Sequence, residues 1–265
     1  MKSLNVITLY DNAGEVEQYI DEALEISGGT VEIALVVNKD TADAAGGIEE
    51  KYRGRPVDVI RYGENVGYLN AMLKTIRERE TEAYDYVILS NTDIRYGTKD
   101  FFRKLGEFTY SPEIGCIAPS VYATKSGSYS NPHYMERVPK AKIEQLIRIF
   151  RHPAAGRLYL QMAGIKAGKA KAEKKPGCYV YSPHGCYMIF TKAFTRAIRG
   201  YEYGVKLYSE EAAIGELLRK NGMKCYYDDR IEVIHEESSV TGKINDRARF
   251  TAWSQSLEYI LKEFY

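Results

Sequence analysis

The sequence predicts an α/β fold: a mostly parallel sheet flanked by helices, with a basic helical insert and a C-terminal helix. Three observations predict it. Apolar runs alternate with segments of helical period over the first ~120 residues, as in a sheet covered on both faces. Residues 137–175 hold eleven basic and two acidic residues, so this stretch carries +9 while the rest of the 265-residue chain carries −8 beneath a formal total of +1. Finally, Asp246–Phe264 sets Phe250, Trp253, Leu257, Ile260 and Leu261 at helical spacing, suited to packing or to a homodimer contact.

The elements follow in order. Leu4–Leu9 is a short apolar run that reads as a buried strand. Glu15–Ile26 puts Val16, Tyr19, Ile20, Ala23 and Leu24 on one helix face, and Gly28-Gly29 stops it. Val31–Val37 is the second strand, and Asp40–Tyr52 is a weaker helix with Gly46-Gly47 inside it. Val57–Arg61 and Tyr86–Leu89 are strands separated by a helix at Gly67–Arg79. Asp100–Phe108 is a helix, and Ile114–Ala118 is another strand. In the basic stretch, Ile143, Leu146, Ile147 and Phe150 fall at helical spacing. Leu158, Met162 and Ile165 continue an apolar stripe after Pro153, and 166–175 reads as a polar loop. This insert fits either a solvated piece packed on its own domain or a peripheral contact with anionic headgroups. Its sparse aromatics argue against nucleic acid.

Composition narrows the class. A hydrophobic fraction of 45% builds a core and excludes a disordered chain. No apolar run approaches the roughly 20 residues of a membrane-spanning helix, and no start reads as a secretory signal. Cys116, Cys178, Cys186 and Cys225 form no CxxC pair, so reduced thiols and a cytoplasmic setting are expected. Tyrosine is in excess, 23 against 8 phenylalanines and 1 tryptophan. A ring with a polar tip suits half-buried or ligand-binding surfaces.

In such sheets ligands sit outside the carboxyl ends of the strands. The exits here are polar: Thr8, Tyr10, Asp11 and Asn12; Asn38, Lys39 and Asp40; Glu64, Asn65 and Gly67; Asn91, Thr92 and Asp93. Neither GxGxxG nor GxxxxGK[ST] occurs, which disfavours dinucleotide oxidoreductases and P-loop ATPases. Ser90-Asn91-Thr92-Asp93 ends a strong apolar strand in a carboxylate. Asp93 there can share a hard Mg²⁺ or Mn²⁺ with phosphate oxygens, or simply cap a turn.

The order of these pieces resembles family 2 glycosyltransferases of the GT-A fold, which use nucleotide-diphospho-sugar donors. Ser90–Asp93 is similar to a variant of the family's DXD motif. Val6–Asn12 resembles its opening strand and T-x-Y-N loop, Val36–Thr41 its V-V-D-N-x-S segment, and Glu64–Tyr68 its E-N-x-G-[FY] turn. Pro112–Gly115 resembles the P-x-I-G turn, Gly185–Ile189 the G-x-x-M-L strand, and Val233–His235 the terminal V-x-H. Leu207–Glu211 with Leu217–Gly222 resembles the Y-x-E-D helix and its R-x-x-G end. The likeness covers about residues 4 to 240. It departs from the family at Asn38 and Asn91, where Asp is usual, at the Glu210-Glu211 pair in place of E-D, and at Leu73 and Ala213.

The resemblance implies a GT-A-like domain over 1–240. Residues 1–119 form its nucleotide-donor half and 120–240 its acceptor half, with 137–175 inserted and 241–265 as the C-terminal helix. It implies that Thr8, Tyr10, Asn38, Asn65, Gly67 and Asn91 hold the nucleotide, and that Asp93 and His235 hold Mn²⁺ or Mg²⁺. Glu211 becomes the general base of an inverting transfer, and His184 and Glu210 lie on the acceptor side. The expected donor is a UDP- or dTDP-sugar and the acceptor a hydroxyl of a glycan or lipid-linked glycan, in cell-surface polysaccharide synthesis. Two other readings keep the fold: a sugar-phosphate nucleotidyltransferase, whose glycine-rich basic loop DNAGEVE does not supply, and a non-catalytic nucleotide- or glycan-binding relative.

Overall fold

The computed structural model describes residues 1–167, 172–237 and 245–265, and the side chains of 163–167 are also outside the description. Ile165, Lys166, Lys169 and Lys171 of the predicted stripe and loop therefore lie beyond what is described.

Three β–α repeats and a fourth strand open the chain: β1 (Ser3–Tyr10), α1 (Ala13–Ser27), β2 (Val31–Lys39), α2 (Ala44–Lys51), β3 (Val57–Arg61), α3 (Tyr68–Glu78) and β4 (Tyr86–Ser90). The short β5 (Ile94–Tyr96) leads to α4 (Phe101–Glu107) and the long β6 (Ile114–Ala123). After β7 (Ser128–Tyr129) come the insert helices α5 (Lys140–Phe150) and α6 (Pro153–Ala167). The chain then returns through β8 (Cys178–Val180), β9 (Tyr187–Thr191), α7 (Lys192–Ala197), α8 (Glu210–Lys220), β10 (Lys224–His235) and α9 (Asp246–Phe264).

The sheet order is β3-β2-β1-β4-β9-β6-β10-β5. The pairs among β3, β2, β1 and β4 are parallel, as the alternation predicts. Beyond β4 the sheet is mixed: β9 is antiparallel to both β4 and β6, while β10 is parallel to β6. Side chains alternate across this sheet. On β1, Leu4 and Val6 join the core under α3, α7 and α8, whereas Ile7 and Leu9 join the core under α1, α2 and α4. Ala23 and Leu24 of α1 and Ala45 and Ile48 of α2 complete the second core, so even the glycine-interrupted helix docks.

The basic insert is anchored by the buried face of α5 and by ion pairs to the body. Arg137 pairs with the buried Glu216 at 2.5 Å, Arg151 with Glu258 at 2.8 Å, Arg157 with Asp246 at 3.4 Å and Lys174 with Glu232 at 3.0 Å. The +9 stretch thus meets the acidic body across its own base. α5 buries Ile143, Ile147 and Phe150, and Phe150 stacks on Phe250 of α9 at 5.7 Å. The apolar stripe does not continue into a buried face of α6. That helix approaches α9 through Gly156, where a Cβ would stand 2.8 Å from the Phe250 ring. Leu158 and Met162 stay 59% and 62% exposed. The face of α9 predicted for packing is used within the chain, through Phe250, Ile260 and Phe264.

Burial alone would raise the Glu216 carboxyl, but Arg137, Tyr181 and Arg219 outweigh it and hold the group below its ordinary range. Removing one partner of a buried pair leaves an uncompensated charge. Arg137→Ala is expected to destabilise the fold by about 2–4 kcal/mol, less than a fully orphaned ion because Tyr181 and Arg219 remain. Urea unfolding followed by circular dichroism measures this.

Candidate functional site

One cavity of about 510 Å³ lies at the strand exits. It is lined by every residue the resemblance singled out: Thr8, Tyr10, Asn38, Asn65, Gly67, Asn91, Asp93, His184, Glu210, Glu211 and His235. Residues as distant as Thr8 and His235 meet because β1, β2, β4 and β10 end, and the antiparallel β9 begins, on the same side.

The Asp93 end is built by strand register. β4 stops at Ser90, and Asn91-Thr92-Asp93 turns the chain into β5. The backbone N–H of Asn91 donates to Cys186 O at 2.8 Å. β5 then pairs antiparallel with the end of β10, with Ile94 opposite His235. That register sets His235 Nε2 3.3 Å from Asp93 Oδ1, both side chains largely buried. Asn12 braces the turn from β1 by donating to Thr92 Oγ1 at 2.7 Å, and its Oδ1 accepts the Tyr10 N–H.

The Asn38 and Asn65 amides serve the backbone. Asn38 Oδ1 accepts from Val66 N at 2.9 Å and its Nδ2 donates to Gly67 O at 3.3 Å, while Asn65 Oδ1 accepts from Gly67 N at 2.9 Å. Both therefore fix the turn that enters α3. Gly67 has φ +91, and a Cβ there would overlap the Lys206 carbonyl, so only glycine fits beneath the crossing strap of residues 201–209. Tyr10, at 39% exposed, offers its ring at the mouth of the cavity.

At the opposite end stand the two glutamates that begin α8. Their side chains diverge as helix neighbours must. Glu210 folds back, and its Oε1 accepts the Tyr208 N–H at 2.9 Å. Glu211 reaches toward Gly185, where a Cβ would stand 2.5 Å from Glu211 Oε1. Tyr68 closes this side by donating to Gly185 O at 3.0 Å. His184 Nδ1 accepts the Cys186 N–H at 3.2 Å. Burial, then the neighbouring His133 and His235, push His184 down to about 3, so its ring is neutral. Burial also raises the Cys186 thiol, with Asp93 and Glu211 adding to the effect, which keeps it protonated.

Sequence reasoning did not assign roles to Glu15, Lys206, Tyr208 and Glu237, which also line the cavity. Tyr208 is the tyrosine of the Y-x-E-D-like segment, Lys206 lies two residues before it and Glu237 two residues past His235, so motif proximity was the signal for these three. Counted together, the lining holds the carboxylates of Glu15, Asp93, Glu210, Glu211 and Glu237 against one ammonium, that of Lys206. The tyrosine excess divides. Tyr10, Tyr68 and Tyr208 line the cavity, whereas Tyr187 is buried with Tyr19 and Tyr96, Tyr181 donates to Glu216, and Tyr201 pairs with Tyr259.

The architecture, a parallel β–α half continued by a mixed sheet with the cavity at the strand exits, is the GT-A fold. No protein-family model matches the chain. Among curated proteins, the N-acetylglucosaminyl-diphospho-decaprenol L-rhamnosyltransferase of Mycobacterium tuberculosis, in strains CDC 1551 / Oshkosh and ATCC 25618 / H37Rv, is 20% identical over 248 residues, covering 90% of this chain and 77% of that protein. Among solved structures, the mannosyltransferase PcManGT from Pyrobaculum calidifontis in complex with GDP-Man and Mn²⁺ aligns with a TM-score of 0.59 at 10% identity, over 91% of this chain. This chain spans only 58% of that protein. GalNAc-T7 with UDP, GalNAc and Mn²⁺ aligns with a TM-score of 0.58 at 14% identity, over 95% of this chain and 47% of that one. Together with the motif order, these likenesses support a family 2-like nucleotide-sugar glycosyltransferase.

Burial, then repulsion from Glu211, push the Glu210 carboxyl up to about 8. Its ordinary value is 4.5. A carboxyl whose pKa is higher folded than unfolded stabilises the fold fully below the unfolded value, and that contribution is lost as pH rises through the folded one. The parent is therefore expected to lose stability between about pH 4.5 and 8, by at most about 1.4 kcal/mol per pH unit from this group. Glu210→Gln should flatten that slope, read by thermal unfolding across the range.

Proposed function

We propose that this protein is an inverting glycosyltransferase that moves a sugar from a UDP- or dTDP-sugar to a hydroxyl of a glycan or lipid-linked glycan. The reading rests on one observation above the others: Asp93, His235 and Glu211 share a single cavity with the polar exits of β1 and β2. Residues 1–119 act as the donor half and 120–240 as the acceptor half.

Asp93 and His235 fit a shared divalent cation. Neighbouring ligands on an octahedral ion with bonds of about 2.1 Å lie about 3.0 Å apart, close to the 3.3 Å between Oδ1 and Nε2. Among the described residues, no group of three or more His, Cys, Asp or Glu is arranged to hold a metal. That suits Mg²⁺ or Mn²⁺, which take further ligands from phosphates and water, and the imidazole nitrogen favours Mn²⁺ as the softer of the two. The charge balance supports the same reading. With Glu210 held largely protonated at neutral pH, a donor diphosphate entering among Glu15, Asp93, Glu211 and Glu237 with one lysine is repelled unless a cation accompanies it.

When bound, the ion neutralises the diphosphate as it leaves. The chain's own groups do the rest. Glu211 accepts the proton of the acceptor hydroxyl as its oxygen bonds to the anomeric carbon, and the bond from that carbon to the diphosphate oxygen breaks with its electron pair. Direct displacement of this kind inverts the anomeric centre. Tyr10 packs on the nucleotide base at the mouth, and Asn91 lies beside the diphosphate. His184 and Glu210 shape the acceptor side, His184 as a neutral ring and Glu210 through its bond to the Tyr208 backbone.

The rhamnosyltransferase relative carries a diphospho-decaprenol-linked sugar in its name, which supports a lipid-linked acceptor here. No described helix is long and apolar enough to cross a membrane. The insert over 137–175 would instead touch the inner face of a membrane through Leu158 and Met162, with basic side chains around them. The intramolecular packing of α9 favours its structural role over a homodimer contact.

Asp93→Ala should abolish Mn²⁺-dependent UDP binding in calorimetry and, with it, transfer. Glu211→Gln should leave that binding intact and lower kcat by about 10²–10⁴-fold. If both variants retain donor-dependent transfer, the mechanism is wrong. If the parent binds UDP with Mn²⁺ but never turns a donor over, it is the non-catalytic relative instead. Flotation with anionic liposomes tests the membrane contact: the parent should float, and Leu158→Asp with Met162→Asp should not.

A further inference from the structure

The two residues before the Glu210-Glu211 pair hold a backbone conformation that L side chains rarely adopt. Tyr208 has φ 72 and Ser209 has φ 63, and neither is glycine or asparagine. Consecutive left-handed residues of this kind cost energy and persist only where their surroundings over-determine them. The contacts that do so come from two directions. From the strap, the Tyr203 hydroxyl donates to Tyr208 O. From α9, Ser256 Oγ lies 2.9 Å from Ser209 Oγ, and Trp253 packs against the Tyr208 ring with centroids 5.2 Å apart.

The direction of the serine contact can be worked out. Ser256 Oγ also lies 2.9 Å from Trp253 O, a carbonyl that can only accept. The single Ser256 proton goes there, so Ser209 donates to Ser256. Ser256 itself is fully buried, and the hydrogen bonds form a directed chain: Ser209 to Ser256 to the Trp253 carbonyl. The Ser209 carbonyl in turn accepts from Ala213 N at 3.0 Å, so the clamped residue opens α8. Glu211 is two residues away in that first turn.

We propose that α9 is a positioning element for the base: the Ser209–Ser256 bond holds a strained left-handed bend that aims Glu211 at the cavity. Ser209 and Ser256 touch no substrate in this account and act through Glu211. The inference rests on the role proposed for Glu211 above. It assigns the C-terminal helix a part in turnover rather than in stability alone.

Strain makes the two roles separable. Glycine is favoured at a φ of +63, so Ser209→Gly removes both the clamp and the strain. A purely structural contact predicts that such a change leaves activity alone or raises it along with stability. Positioning predicts opposite signs. Ser209→Gly should hold or raise the unfolding temperature while kcat falls at least fivefold, with UDP·Mn²⁺ binding unchanged. Ser256→Ala should lower kcat similarly, again with donor KM unchanged. Transfer is measured with the UDP- or dTDP-sugar that the parent turns over, beside Glu211→Gln as reference. Loss of transfer in Glu211→Gln with kcat within twofold of the parent in Ser209→Gly overturns the positioning role alone. Full transfer by Glu211→Gln overturns the assignment of the base, and with it this inference.

Discussion

The antiparallel pairing of β5 with the end of β10 is the contact on which the site depends. It is three residues long, Ile94 to Tyr96 against Val233 to His235. It closes the far edge of the sheet and joins a turn from the parallel half to a strand that arrives 140 residues later. A shift of one residue would send His235 to the opposite face, because side chains alternate along a strand. The register also carries the Glu236 N–H to Asp93 O at 2.9 Å. The backbone therefore holds the Asp93 turn from beyond His235 as well as beside it. Asn12 holds it from β1. A turn braced from the ends of β10 and β1 keeps its carboxylate in place without needing a rigid side chain of its own.

Charge is distributed with a similar economy of partners. The body is acidic and the insert is basic, yet the two are not separate fields. Exposed pairs such as Arg151–Glu258 contribute little singly. The Arg137–Glu216 pair is different, because the Glu216 side chain is buried and shared by Arg137, Arg219 and the Tyr181 hydroxyl. That network ties the start of the insert to the back of α8, whose front carries Glu210 and Glu211. The acidic cavity and the basic insert are thus two ends of one electrostatic arrangement: some carboxylates line the cavity, and others receive the insert.

Much of this was legible in the sequence, and the reasons are specific. β3 and α9 were read to the residue from apolar period and stop signals, and the polar strand exits pointed to the cavity because strand ends of a parallel sheet share one side. What escaped were features that depend on tertiary neighbours. β5 is too short to show a period. Leu158 and Met162 carry the same apolar spacing as a buried face, but Gly156 turns α6 so that its small side meets Phe250. The asparagines at 38 and 65 line the cavity, and their amides also tie down the Val66–Gly67 turn, a structural part that no single-residue signal shows. The tyrosines divide for the same reason. Whether a phenol meets a ligand, a glutamate or another phenol is decided by strands and helices far away in the chain.

The strap of residues 201–209 shows how these levels meet. Asn70 of α3 holds it at Tyr203, with bonds of 2.8 and 3.0 Å in both directions, and its Lys206 carbonyl lies over Gly67. Gly204 passes against Tyr259 of α9 with no room for a side chain. The strap is therefore pinned between α3 and α9 before it delivers its last two residues into the left-handed region. A free loop would relax such a bend, since each residue there costs on the order of 1–3 kcal/mol. Packing on both sides instead preserves it immediately ahead of the buried Glu210 and the half-buried Glu211. Strain retained at that one point, with ordinary helix geometry resuming at Glu210, is what separates the Glu210–Glu211 end of the cavity from a plain loop-to-helix junction.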